Sequence, residues 1–156
     1  MSVAAQKYAL VDMEYILKNI PNYEMANEQL EQISKRWQAE IEAEAAEAES
    51  MYKNYQSEMV FLSAEMKTKR EEAIVAKEAE VQELRRTYFG PEGELYKKRE
   101  ALIMPIQEDI YTAVKEIADQ YGYMMVMDRA TSENIIYASP KIDISNDVLT
   151  KLGYSK

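Results

Sequence analysis

The sequence predicts a mostly α-helical α+β fold, with a small β-containing body and one long antiparallel helical hairpin, a coiled-coil arm. Residues Asn22 to Phe89 form a run of 68 residues with neither glycine nor proline. Its abundance of Glu, Lys, Ala and Gln favours helix over sheet. Short β-type segments flank this run at Tyr8–Asp12 and Tyr123–Asp128. Apolar residues recur within the run at the helical period of about 3.6 residues.

The chain opens with a strand and a short helix. Tyr8–Asp12 is typical of a buried strand, and Asp12 suits the N-cap of a helix from Met13 to about Asn19. The segment 20–22, Ile-Pro-Asn, interrupts that helix and starts the long one.

The outward helix of the predicted arm carries one apolar stripe. Its members are Ala26, Leu30, Ile33, Trp37, Ile41, Ala45, Ala48, Tyr52, Tyr55, Met59 and Leu62. The stripe has a stutter around Ile41 and otherwise follows one face of a nearly straight helix. About 40 residues at 1.5 Å each give a helix of roughly 60 Å.

Ser63 is the predicted tip of the arm, because it follows the last stripe residue and suits an N-cap. The returning stripe comprises Met66, Arg70, Ala73 or Ile74, Lys77, Val81, Leu84 and Tyr88. Since Arg70 and Lys77 are charged, we expect the seam between the helices to be weak near the tip.

Two interruptions are predicted after the return. The segment Phe89-Gly90-Pro91-Glu92-Gly93 cannot continue as regular helix, and Pro105 kinks the helical pattern or begins a new helix. The hairpin register predicts that Trp37, the only tryptophan, packs close to the first break. The breaks are either hinges or static kinks, and the hinge candidates are Gly90, Pro91, Gly93 and Pro105.

The last part of the chain returns to the body. A final helical piece ends at Gly122, a good residue to follow a helix, and the strand Tyr123–Asp128 follows. A second strand is predicted at Ile135–Ala138 and a terminal helix at Asn146–Leu152, with Ser145 as its cap.

These elements divide the chain into a body, residues 1–21 plus 122–156, and an arm, residues 22–121. The body is small enough that its core would be marginal alone, so we expect oligomerisation.

Composition excludes several kinds of chemistry. The absence of cysteine and histidine excludes disulfides, Cys/His zinc sites and histidine catalysis. Carboxylate pairs such as Glu71–Glu72 lie on helix faces that also carry Lys and Arg, so they indicate solubility. No catalytic residue, metal ligand or cofactor site is predicted, and the chain is not expected to be an enzyme.

The net charge of −9 argues against nucleic acid as a partner and against strong binding to anionic membranes. No apolar stretch approaches the roughly 20 residues needed to span a bilayer. The start, residues 1–6, is similar to the small-residue end of a signal-peptide cleavage region, or is an ordinary N-terminus.

Both ends of the chain resemble one known family. Residues 8–17, YALVDMEYIL, resemble the opening strand and helix of the Skp/OmpH family of periplasmic outer-membrane-protein chaperones. Residues 122–128, GYMMVMD, with 135–137, IIY, and 143–152, DISNDVLTKL, resemble its closing strands and helix. The hairpin between them matches in length and character.

The resemblance implies a homotrimer in which β segments of three subunits form a closed body and the hairpins surround a cavity. Such a protein holds unfolded outer-membrane β-barrel proteins in the periplasm without ATP or other cofactor, after its signal peptide is removed. The predicted trimer-body residues are Leu10, Val11, Val126, Ile135, Ile136 and Tyr137.

Client contacts are expected from apolar arm residues that fall off the stripe, since helical geometry turns them away from the partner helix. These are Met51, Val60, Phe61 and Val75, although scattered exposed apolar residues are also ordinary.

The best-known family members are strongly basic, whereas this chain is acidic, which puts lipid and lipopolysaccharide binding in doubt. A local basic patch is expected at the tip from Lys67, Lys69 and Arg70.

Two other functions fit the same pattern. A structural coiled-coil scaffold would use the stripe for assembly and bind no client. A cytosolic prefoldin-like chaperone would share the arm but not the compartment. Solution mass, the full gene's N-terminus and an aggregation assay distinguish these alternatives.

Overall fold

The computed structural model describes residues 7–154, and the predicted N-terminal processing region lies outside this range. The elements are β1 (Lys7–Val11), α1 (Met13–Lys18), α2 (Pro21–Glu58), α3 (Ala64–Phe89), α4 (Glu94–Tyr121), β2 (Tyr123–Asp128) and α5 (Ser145–Lys151). Short 3₁₀ turns occupy Met59–Phe61 and Pro140–Ile142. The mostly helical α+β class is therefore confirmed.

The chain forms two compact units. Unit 1 combines the residues up to Asn27 with those from Ala101 onward, and unit 2 is Glu28–Glu100. The division into body and arm at residues 21 and 122 stays a prediction.

Unit 1 contains a parallel pair of strands, β1 and β2, in which Ala9 pairs with Val126 and Val11 with Asp128. On the opposite side of β1, the Ile144 amide donates to the Leu10 carbonyl at 2.9 Å. A parallel pair needs a long crossover connection, and here α1 to α4 supply it. The first and last parts of the chain thus meet in one sheet.

The core of unit 1 lies between the sheet, α1, α4 and α5. Its buried members are Ala9, Val11, Ile16, Ile20, Ile110, Ala113, Ile117, Ile144, Val148 and Leu149. Three of these come from the last turns of α4, a stretch that the sequence-based division assigns to the arm. The core of unit 1 is thus larger than the predicted body alone would provide.

Side-chain caps join the ends of the core elements. The Asp12 carboxylate accepts a hydrogen bond from the Tyr15 amide at 2.9 Å, which confirms the predicted cap of α1. The predicted cap of the last helix is wrong. Ser145 is the first residue of α5, and its buried hydroxyl accepts from the Asp12 amide at 2.8 Å and donates to the Asp143 carboxylate at 2.6 Å. Ser145 therefore links the two ends of the chain.

The predicted strand Ile135–Ala138 is wrong for the single chain, because these residues form no strand in it. The physical reason is that no backbone segment within residues 7–154 pairs with them, since a strand exists only when another backbone accepts and donates its hydrogen bonds. Ile136 is fully exposed and Tyr137 is 82% exposed.

Unit 2 contains the antiparallel hairpin formed by α2, from Glu28 onward, and α3, together with the start of α4 as far as Glu100. Ser63 is the N-cap of α3, with its hydroxyl accepting from the Met66 amide at 3.2 Å, so the predicted turn is confirmed. The helix then ends at Phe89 and α4 begins at Glu94, which confirms the first predicted interruption.

Of the two alternatives predicted at Pro105, the start of a new helix is wrong, because Pro105 lies inside α4, which is continuous from Glu94 to Tyr121. A kink at Pro105 stays a prediction. The neighbouring Ile103 is buried, and tertiary packing of a helix commonly overrides the unfavourable helix propensity of one residue.

Candidate functional site

The hairpin of unit 2 is closed at its base by three aromatic rings. Trp37 on α2 stacks on Tyr88 of α3 with ring centroids 4.5 Å apart, and Phe89 meets Trp37 edge-on at 6.4 Å. The Tyr88 hydroxyl also donates to Glu40 at 3.0 Å. The predicted packing of Trp37 beside the break is therefore confirmed.

Polar side chains tie the two helices together farther along the hairpin. Lys77 forms ion pairs with Glu44 and with Glu47, the latter at 2.9 Å, and its side chain is only 14% exposed. The Tyr55 hydroxyl donates to Glu71. A sequence pattern misses these contacts, because it shows charges at seam positions but not the partners that reach them.

These contacts raise the pKa values of three side chains. Hydrogen bonds to Glu44 and then Glu47 raise the pKa of Lys77 above its ordinary value. Hydrogen bonds to carboxylates also raise the pKa of Tyr55, through Glu71, and the pKa of Tyr88, through Glu40. The seam is thus most strongly bonded while these three groups keep their protons.

The side chains of the apolar stripes become more exposed to solvent toward the tip. Leu30, Ile41 and Ile74 are buried, whereas Met59 is 38% and Met66 is 51% exposed. The predicted weakness of the seam near the tip stays a prediction.

The off-stripe apolar residues differ in exposure. Phe61 is 85%, Val60 81% and Val75 64% exposed. Met51 is only partly exposed. Val60 and Phe61 are adjacent in the 3₁₀ turn at the tip, so they form the most accessible apolar group of the hairpin.

The basic groups at the tip are largely balanced by carboxylates. Arg70 pairs with Glu58 at 2.7 Å across the turn, and Lys69 pairs with Glu65 at 3.5 Å. Such exposed pairs are weak, but they lower the local positive potential that the sequence predicts.

The break between α3 and α4 is tightly built. A Cβ on Gly93 would lie 2.9 Å from the carbonyl oxygens of Gly90 and Thr87, so only glycine fits without displacement. The Gly93 amide donates to the Gly90 carbonyl at 2.9 Å. Close backbone packing favours the static kink over the hinge, which stays a prediction.

Residues 7–154 contain no cluster of three or more carboxylates that could hold a metal ion, and no helix within them is long and apolar enough to cross a membrane.

Comparison with known proteins places these features in a family. The family described as "Outer membrane protein (OmpH-like)" matches residues 7–152. This chain belongs to the OmpH-like family. The match includes both strands, the hairpin and α5, so it rests on the whole described fold.

Two relatives of this OmpH-like chain are informative. It is 28% identical to the chaperone protein Skp of Yersinia enterocolitica over 160 residues, covering 97% of this chain and 88% of the relative. A crystal structure of an OmpH-like candidate outer membrane chaperone from Caulobacter crescentus CB15 matches with a TM-score of 0.75. That match covers 97% of this chain and 86% of the other at 14% identity, so it shows the shared fold alone.

Unit 1 of the OmpH-like chain has an open apolar strand edge. β1 is flanked on both sides, whereas β2 pairs only with β1 in the sheet of residues 7–154. Met124 is 68% and Met125 is 48% exposed on β2. An apolar edge strand left open favours association with another chain.

The predicted trimer-body residues fall into two groups. Leu10 and Val11 are already buried within the single chain. Val126 and Ile135 are partly exposed, and Ile136 and Tyr137 are exposed. The sequence did not identify the methionines of β2 as interface candidates. A strand that is apolar throughout does not show which of its faces the rest of the chain covers.

Proposed function

We propose that this protein is an ATP-independent periplasmic holdase chaperone, which binds unfolded outer-membrane β-barrel proteins in a cavity between the hairpins of a homotrimer. The observation that carries the proposal is the match of nearly the whole chain to the OmpH-like family and to a relative described as the chaperone Skp. The protein acts without a cofactor, as a binding protein and not as an enzyme.

The trimer is supported by the surface of unit 1. Met124 and Met125 on the open edge of β2, with Ile136 and Tyr137 nearby in sequence, leave large apolar groups in water. A neighbouring subunit would supply the backbone partner that residues 135–138 lack in the single chain, and it would cover the methionines.

Assembly has a direct test. Ile136→Ser with Tyr137→Ser should shift the mass in light scattering from three chains toward one, while Val75→Ser, an equally polar change in the hairpin, should leave the mass unchanged. A monomeric wild-type protein at micromolar concentration would contradict the trimer.

Client binding is supported by the exposed Val60 and Phe61 and, along the hairpin, by Val75. Each contact is small, and many weak contacts within one enclosure retain a client through multiplicity while they still permit release. Such contacts require no nucleotide.

The holdase activity is tested by diluting a urea-unfolded outer-membrane barrel protein into buffer without nucleotide. Near-stoichiometric amounts of the protein should keep the barrel soluble, as measured by light scattering. An intact trimer that fails to suppress aggregation would instead support a structural scaffold.

A further inference from the structure

The net negative charge of the chain is accounted for by the middle of the hairpin. Residues 40–58 and 71–83 together contain eleven glutamates and two lysines, a balance of −9, which equals the net charge of the whole chain. The remaining residues are therefore neutral in sum. We call these two stretches the acidic midsection.

An open groove of about 600 Å³ lies between α2 and α3 in the acidic midsection. Three small residues on the two helices leave space there: Ala45, Ala48 and Ala79. Tyr52 and Val75 form its apolar walls and are 48% and 64% exposed. Its volume lies within the range of about 300–1,000 Å³ that small ligands occupy, so it accommodates a few side chains of an extended peptide.

The charged groups that line the groove are two glutamates and one arginine, a net charge of −1. Glu49, Glu78 and Arg85 line it. Glu49 already pairs with Lys53 at 2.9 Å, whereas Glu78 has no ion pair or hydrogen bond among residues 7–154. The second lysine of the midsection, Lys77, is held by Glu44 and Glu47 and is mostly covered.

We propose that this groove binds segments of unfolded client in which apolar or aromatic side chains are flanked by lysine or arginine. The apolar walls take the apolar side chains, and the acidic midsection attracts the flanking cations. A second copy of this chain is disfavoured as the occupant of the groove, since two acidic midsections would repel each other. The proposal rests on the holdase function and adds to it a preference in client charge.

The test uses two labelled, unstructured peptides with identical Phe and Leu positions, one flanked by lysines and the other by glutamates. At low salt the intact protein should bind the lysine peptide about tenfold more tightly than the glutamate peptide, because two or three exposed ion pairs together contribute about that factor in affinity. The preference should shrink at 0.5 M salt, where the screening length is only about 4 Å. Equal affinity for both peptides would overturn the proposal.

A matched pair of variants locates the site. Glu78→Lys should weaken binding of the lysine peptide about threefold to tenfold. Glu80→Lys makes the same charge change on the same helix but lies 200° around it, outside the groove. It should have a smaller effect, and equal loss in both variants would mean a diffuse field without a groove site.

Because the chain has no cysteine, Ala79→Cys gives a single labelling position in the groove, with Ala73→Cys as a control that lies about 120° around α3 and outside the groove lining. The lysine peptide should change the fluorescence of a label at position 79 and not at position 73. Disulfide formation between two copies at position 79, without peptide, would instead assign the groove to a second copy.

Aggregation suppression without a charge preference would overturn this inference alone, whereas no suppression at all would overturn the holdase function.

Discussion

The Trp37 indole lies flat on the Tyr88 ring, with centroids 4.5 Å apart and planes only 5° from parallel. This pair joins α2 to the last turn of α3, next to the break where the backbone turns into α4. It adds a stacked aromatic contact to a seam whose other buried side chains include Ile41, Ile74 and Val81, so part of the hairpin's stability should depend on it.

Trp37→Ala should therefore lower the free energy of unfolding by about 3 kcal/mol, because it removes a buried ring together with its stacking contact. Trp37→Phe keeps an aromatic partner for Tyr88 and should cost about 1 kcal/mol. Urea denaturation followed by circular dichroism measures both. Equal stability of wild type and the alanine variant would show that the seam does not depend on this pair.

Gly90→Ala tests the tight break after α3. A Cβ there would collide with the Arg86 carbonyl group, to which the Gly90 amide donates, so the backbone must move. We expect a loss of about 2–3 kcal/mol. Gly122→Ala is the control, because Gly122 has φ of +73° and no atom within 4 Å of an added Cβ.

The control should therefore cost only the backbone strain of about 1–2 kcal/mol. Thermal unfolding compares the two variants. If Gly90→Ala costs less stability than Gly122→Ala, the break is a loose segment. The hinge interpretation would then gain support.

High pH should loosen the hairpin. The pKa values of Tyr55, Tyr88 and Lys77 are raised above 10.0, 10.0 and 10.5, chiefly because their protonated forms donate to glutamates. A group whose pKa is raised by folding contributes stability below its unfolded pKa, and that contribution is lost as the pH rises through the folded pKa. The melting temperature should therefore fall above about pH 10.

Tyr55→Phe with Tyr88→Phe removes two of the three groups, so its melting temperature should fall less steeply between pH 9 and pH 11.5. Tyr111→Phe changes a tyrosine that is 71% exposed outside the hairpin, and it should retain the wild-type slope. If the melting temperature of all three proteins falls equally steeply with pH, the seam hydrogen bonds do not determine the stability at high pH.

Val60→Ala with Phe61→Ala tests the tip as a client contact. The two side chains are more than 80% exposed, so their removal should change folding stability by less than about 0.5 kcal/mol and leave the trimer mass unchanged. Aggregation suppression should weaken, with more chaperone needed for half-maximal effect. Unchanged suppression would exclude these residues as principal client contacts.

The period of the apolar residues predicted the hairpin well. Steps of three and four from Ala26 onward, with Ser63 as a cap, placed the turn, and that register in turn placed Trp37 beside Phe89. These features depend on local geometry, which the sequence carries directly.

The remaining errors concern partners. Ile135–Ala138 has strand composition, but no backbone among residues 7–154 pairs with it. Ser145 has the composition of a cap, but it accepts from Asp12, which lies 133 positions away. Lys77 weakens the apolar stripe, yet Glu44 and Glu47 meet it across the seam. Contacts between distant residues depend on the assembled fold, and no short window of sequence contains them.

The mass of the complex with a client tests the central claim most directly. An unfolded outer-membrane barrel protein should be diluted from urea into the chaperone, and the product analysed by native mass spectrometry without nucleotide. The account predicts one species that contains three copies of this chain and one barrel protein. A trimer without client, or a client bound to a single copy, would contradict it.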